Sequence, residues 1–291
     1  MSDRKLLNRS KIGLVPLNWK FTDERSKEVV EKFHEYGFKG LQISEKHATS
    51  ADYRALFSKY EIEAAEFYIA IKCDIDSIAD NSDEETKRQI DAAKSGGVEM
   101  VVFAVDGTHD RDIVTSNAEN GPHLSDKGYR ALADHLNSWG AYCGELGMKY
   151  SFHPHSATYI ETPEETRDLF ALLNPEMGLC LDVGHWIVGG GDPIAAIDEY
   201  GRRITHIHVK DVDGDVLRQV KNREIESMEV AIVDHKIFAP AGTGLLDLKS
   251  LFRALESIGY QGWLMSEQDS AWEPSEEKSL LSMKNIASAL Q

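Results

Sequence analysis

Short β-rich apolar runs alternate with amphipathic helical stretches along this chain, and few folds accept that rhythm. The runs are KIGLVPLN (11–18), FKGLQIS (38–44), IEAAEFYIAI (62–71), EMVVFAVD (99–106), KYSFHPH (149–155), MGLCLDV (177–183), ITHIHVKD (204–211) and GWLMSEQ (262–268). Val15, Leu17, Leu179, Leu181, Ile207 and Val209 fall at alternate positions, the period of a strand with one face turned to a core. Between the runs lie segments such as DERSKEVVEKFHEYG and LKSLFRALESIGY, whose apolar residues repeat at helical spacing. Helix punctuation agrees with this reading. Ser82 or Asp83 is placed to cap the third helix, Thr162 before Pro163 and Glu165 reads as a capping box, and Gly37, Gly96, Gly147 and Gly259 stand where helices should stop. Eight strands, each followed by a helix, is the count of a closed (β/α)8 barrel, the TIM barrel, and residues 1–291 read as one such domain.

The structural rival is an open, doubly wound sheet, and periodicity alone does not separate the two. The glycine-rich phosphate loop that such sheets often carry is missing, because the first run leads into PLNWKFTDE. GGGD at 189–192 reads as a flexible loop ending at a helix start, with Asp192 and Pro193 at the boundary. Two longer insertions, 107–124 and 212–246, fall after strands, where a barrel places its active-site loops.

Composition narrows the function. A formal net charge of −17 spread along the chain repels phosphate backbones and anionic lipid, so neither nucleic acid nor a membrane surface is expected as a partner. Cys73, Cys143 and Cys180 form no C-x-x-C pair, the polar start MSDRKLLNRS lacks the apolar stretch of a signal peptide, and no run approaches the roughly 18 apolar residues of a membrane span. A cytoplasmic protein is the expectation.

Of the 11 histidines, His153, His155, His185, His206 and His208 crowd into one stretch. In SFHPH, Ser151, His153 and His155 would share one strand face; Asp182 ends the next strand, with His185 three residues on. His206, His208 and Lys210 share a face of the strand after that, and Glu267 ends the last. Singly each has an ordinary explanation: a hydrogen-bonded structural histidine, an aspartate in a turn, a solvated rim charge. Together they place imidazoles and carboxylates at the carboxyl ends of four adjacent strands, which in a barrel converge on one cavity and suit a divalent metal.

These same residues resemble the xylose isomerase-like barrels, and among them the inosose dehydratase group. The likeness is carried by PLNW (16–19), FHPHSATYIETPEE (152–165), LDVGHW (181–186), GGDP (190–193), RITHIHVKDV (203–212), APAGTGLLD (239–247) and GYQGWLMSEQD (259–269). It is continuous over the C-terminal half and thin between residues 40 and 140. The resemblance implies a metal held by residues of strands five to eight, with Asp182, His208 and Glu267 matching the last three. At the first position His153 stands where isomerases and epimerases usually have glutamate, and Glu161 is the alternative oxygen ligand. The implied ion is Mn2+ or Co2+, with Zn2+, Fe2+ or Mg2+ as alternatives.

The implied reaction is β-elimination of water next to the ketone of an inosose or similar keto-polyol, with keto-sugar isomerisation or epimerisation as the other reading. Glu267, His185 or Lys210 would take the proton, and His155 or Glu161 would help the hydroxyl leave. Asn18, Trp19, Lys46, His155, His185 and Lys210 would contact the small polyol or sugar. Relatives of this kind are commonly dimers or tetramers.

Overall fold

The computed structural model describes residues 11–79, 82–270, 272 and 274–291; the polar start on which the compartment reading partly rests lies outside them. Eight strands close into a barrel: β1 (Ile12–Leu14), β2 (Gly40–Gln42), β3 (Glu63–Ile71), β4 (Met100–Val105), β5 (Lys149–His153), β6 (Gly178–Asp182), β7 (Ile204–Val209) and β8 (Leu264–Ser266). Every neighbouring pair is parallel, and β1 joins both β2 and β8 to complete the ring. Each strand lies inside the run that predicted it, usually trimmed at the carboxyl end. The trimming has a cause at β5, where Pro154 offers no N–H to the ladder, so His155 falls beyond the strand.

The helix signals hold with two adjustments. Thr162 accepts from the Glu165 N–H while the Glu165 side chain reaches back to the Thr162 N–H, a complete capping box ahead of the helix Pro163–Phe170. Asp192 caps Pro193–Tyr200 by accepting from the Ile194 N–H, so the glycine run is a loop that ends at a helix start. Ser82 and Asp83, however, already lie inside the helix Ser82–Ser95, and the position before it is outside the described residues. At 96–97 the left-handed residue is Gly97, with φ of 72°, while Gly96 lies against Ala48. Leu17 is 53% exposed and is not part of the wall. Among the described residues no helix is long and apolar enough to cross a membrane.

The barrel interior is packed by side chains at alternate strand positions. Val15, Ala65, Trp263 and Met265 form one small buried cluster and Met100, Val102 and Cys180 another. Trp263 fits because β2 contributes a glycine: a Cβ on Gly40 would stand 2.6 Å from the indole. Trp263, Met265 and Glu267 share a face by strand alternation, so the fill that closes the floor also aims Glu267 at the mouth. There the two insertions form the rim. Residues 212–246 carry the helices Gly214–Lys221 and Met228–Val233 over an apolar cluster of their own, while Asp211–Val212 pairs antiparallel with Phe238–Ala239. Gly40→Val, which overpacks the floor, is expected to cost about 1–3 kcal/mol; the shift of the denaturant midpoint at constant slope measures it, and an unchanged midpoint contradicts this packing.

Candidate metal centre at the barrel mouth

Parallel register sets Asp182 level with His208, and Met265 on β8 pairs with His208 on its other side. Strand ends far apart in sequence are thereby brought to one height in the ring. One ligand atom from each of His153, Asp182, His208 and Glu267 lies within 4.8 Å of every other, and all four residues are buried. His208 Nδ1 is 2.6 Å from Glu267 Oε2 and 3.5 Å from Asp182 Oδ2, which is itself 3.6 Å from His153 Nε2.

Two of the four, Asp182 and His208, are held from behind. Asp182 Oδ1 caps the short helix Val183–Val188, accepting from the N–H groups of Gly184 and His185 at 2.8 and 2.9 Å, which leaves Oδ2 turned to the centre beside Lys210. His208 Nε2 lies 2.8 Å from Oε2 of Glu66, a fully buried residue of β3. A carboxylate oxygen accepts, so Nε2 carries a proton and a divalent ion at the centre would take the Nδ1 lone pair, the arrangement found behind metal-bound imidazoles. Glu66 Oε2 also meets His206 Nε2 at 2.8 Å. Burial opposes the charge on Glu66, but the His208 and His206 imidazoles outweigh it and hold the carboxyl well below its ordinary range.

Asp182 Oδ2, His208 Nδ1 and Glu267 Oε2 are buried atoms without a hydrogen-bond partner. Their separations are short, yet none is aligned as donor to acceptor. Buried polar atoms are normally satisfied, and electron-pair donors turned toward one point are satisfied by a cation. Two imidazoles and two carboxylates therefore form a donor set that fits a divalent ion.

Lys210 lies just past β7 and is fully buried beside this set. Its Nζ is 3.1 Å from Asp182 Oδ2, 3.2 Å from Glu267 Oε1, 2.7 Å from Asp269 Oδ2 and 2.7 Å from His185 Nε2. Burial works against the ammonium, but Asp182, Asp269 and Glu267 together raise its pKa far above the usual lysine value. Burial, reinforced by the Lys210 charge, pushes His185 down and keeps it neutral. His155 stacks on His185 with ring centroids 3.6 Å apart and is likewise held well below its ordinary value, by burial first and then by the neighbouring His185 and His153 imidazoles. Glu267 moves the other way: burial raises it, and the Lys210 and His208 charges do not cancel that rise.

The remaining candidates separate from this group. Both oxygens of Glu161 are engaged, accepting from Thr115 Oγ1 at 3.1 Å and from the N–H groups of Ser116 and Ala157 at 2.7 and 2.8 Å. Its carboxylate thus clasps the 107–124 insertion to the loop after β5, outside the four-residue set. Arg111, fully buried, makes two bonds to Glu165 that secure the same insertion. Asn18 donates to the carbonyls of Gln268 and Asp269, tying the loop after β1 to the one carrying Asp269. Trp19 is 2% exposed, packs on Phe33 and donates to Ser279 Oγ, so it seals the wall. Lys46 sits in the helix Glu45–Thr49 and pairs with Asp23 at 2.6 Å in an exposed position on the rim.

Sequence reasoning missed Glu66, Asp269 and Tyr68. The signal for Glu66 was a carboxylate inside an otherwise apolar strand, a rarity unless it is paired. Tyr68 follows it on the same face, approaches His153 with ring centroids 6.1 Å apart and lines a cavity of about 230 Å3 with Lys72 and Asp106.

A family description fits this geometry: residues 16–287 match the xylose isomerase-like TIM barrel. The chain belongs to that family. An inosose dehydratase of Clostridium beijerinckii is 26% identical over 276 residues, covering 90% of this chain and 91% of that protein. The rhizopine catabolism protein MocC of Rhizobium meliloti is 27% identical over 274 residues, covering 91% and 83%. Among solved structures of the same fold, the IolI protein with a bound zinc atom superposes with a TM-score of 0.69 at 15% identity, over 96% of this chain and 97% of that one. The chain is an enzyme of this barrel type, and its relatives support a dehydratase reading.

Because Glu66 fixes the tautomer and tilt of His208, Glu66→Gln is expected to weaken Co2+ binding by about 10–100-fold. Competition with a chromogenic chelator measures this, and an unchanged affinity would show Glu66 to be idle.

Proposed function

We propose that this enzyme is a metal-dependent lyase that removes water from an inosose or a similar keto-polyol by β-elimination beside the ketone. The observation that carries the reading is the asymmetry of the donor set: the β8 position holds a carboxylate, Glu267, and the β5 position an imidazole, His153. Epimerisation needs a proton acceptor on each face of the substrate, whereas elimination needs one base and a group that stabilises the departing hydroxyl. The inosose dehydratase relative supports the same choice, and the zinc atom in the IolI structure supports a divalent ion in a barrel of this fold.

His153, Asp182, His208 and Glu267 would hold the ion, with Mn2+ or Co2+ favoured. A divalent ion there supplies Lewis acidity that polarises a ketone oxygen and acidifies the adjacent C–H. The protein's own groups do the rest. Glu267, whose basicity is raised by burial, takes the proton; it is preferred to Lys210, which three carboxylates keep charged, and to His185, which burial and Lys210 make a weak base. Lys210 is the cationic donor that hydrogen-bonds the departing hydroxyl, the proton taken by Glu267 passes to that hydroxyl so that it leaves as water, and His155 and His185 bind the remaining hydroxyls.

Incubation of the Mn2+-loaded enzyme with 2-keto-myo-inositol is expected to raise the ultraviolet absorbance of a conjugated enone, and Glu267→Gln to slow that rise about 10²–10⁴-fold. No absorbance change across a panel of inososes, with epimerisation of a ketohexose instead, sinks the lyase reading in favour of the isomerase and epimerase one.

A further inference from the structure

A second set of donors adjoins the first, and a cation already stands in it. One ligand atom from each of His155, His185 and Asp269 lies within 4.8 Å of the others, the spacing of a metal site. His155 donates its Nδ1–H to the Ser156 carbonyl at 2.7 Å, which leaves its Nε2 as an electron-pair donor. Lys210 Nζ sits 2.7 Å from both His185 Nε2 and Asp269 Oδ2. The same nitrogen approaches Asp182 Oδ2 and Glu267 Oε1, and those two carboxylates also belong to the first set. Two cation positions therefore share two carboxylates, as in paired-metal centres that grip neighbouring oxygens of one substrate.

Charge balance points the same way. Asp182, Glu267 and Asp269 against the Lys210 ammonium leave two negative charges, the complement of a single divalent ion. Removing the ammonium leaves three negative charges in a largely dry pocket, a condition that strongly favours recruitment of another cation.

We propose that Lys210 is a tethered second cation: its ammonium fills a divalent-ion position built by His155, His185 and Asp269, and offers a second positive point to the departing hydroxyl of the bound keto-polyol. The proposal rests on the metal reading above. It also explains why the chain buries a lysine there with a full set of acceptors, when a lone charge would have been costly.

Counting ions on the full-length protein tests it. After equilibration with excess Mn2+ and removal of free ion, the wild-type protein is expected to retain one Mn2+ per chain, and Lys210→Met, which keeps an apolar stem against Gly184, to retain two. Adding Asp269→Asn to Lys210→Met is expected to return the count to one. A count of one in both Lys210→Met and Lys210→Ala, each shown folded by circular dichroism, overturns the proposal, as does a count of two in the wild type. A wild-type count of zero is a different failure, since it removes the metal reading itself.

Discussion

Glu66, Asp182 and Glu267 are buried at one end of a barrel whose wall is apolar, with Asp269 only slightly exposed beside them. Charge in such a place is tolerated only when it is matched, because the desolvation cost of each ion is several kcal/mol. Every notable feature of the mouth answers that demand. Two histidines face Glu66, a lysine faces the other three carboxylates, and a helix start takes one oxygen of Asp182. What stays without an aligned hydrogen bond is a group of buried atoms, Asp182 Oδ2, His208 Nδ1 and Glu267 Oε2, drawn close together.

The fold supplies the precision. Parallel register places Asp182 beside His208 without any local contact to arrange it, and the interior fill of Trp263 and Met265 orders the strand that ends in Glu267. Loops then add the charged groups that strands alone could not bring. Asp269 enters through a loop fastened by Asn18, and the 107–124 insertion is fastened by Glu161 and by the Arg111 to Glu165 pair. Chemistry and support are thus divided between side chains that look alike in the sequence: Glu161 and Glu267 are both acidic residues beyond strand ends, but only one has oxygens left to give.

That division explains which parts of the site were legible. Asp182, His208 and Glu267 could be read because they sit at the ends of strands whose alternation is plain, and His153 because it belongs to the same pattern. Asn18, Trp19 and Lys46 were placed from the first two strand ends in the same manner, yet they tie a loop, seal a wall and pair on the rim. A strand end fixes where a residue is, not which way a long side chain turns or what it bonds. Glu66 was hidden for the opposite reason: it lies mid-strand, where the apolar pattern around it suggested only wall, and its meaning depends on His206 and His208, some 140 positions away. Asp269 depends on a loop path that no periodicity encodes.

The central claim is that one cation belongs among His153, Asp182, His208 and Glu267. Crystals of the protein grown with Mn2+ and measured for anomalous scattering at the manganese edge test it most directly. The account predicts one strong peak within coordination distance of Asp182 Oδ2, His208 Nδ1, Glu267 Oε2 and an imidazole nitrogen of His153. Density free of any such peak at the mouth, or a peak bound to other residues with these four still facing one another, would contradict it.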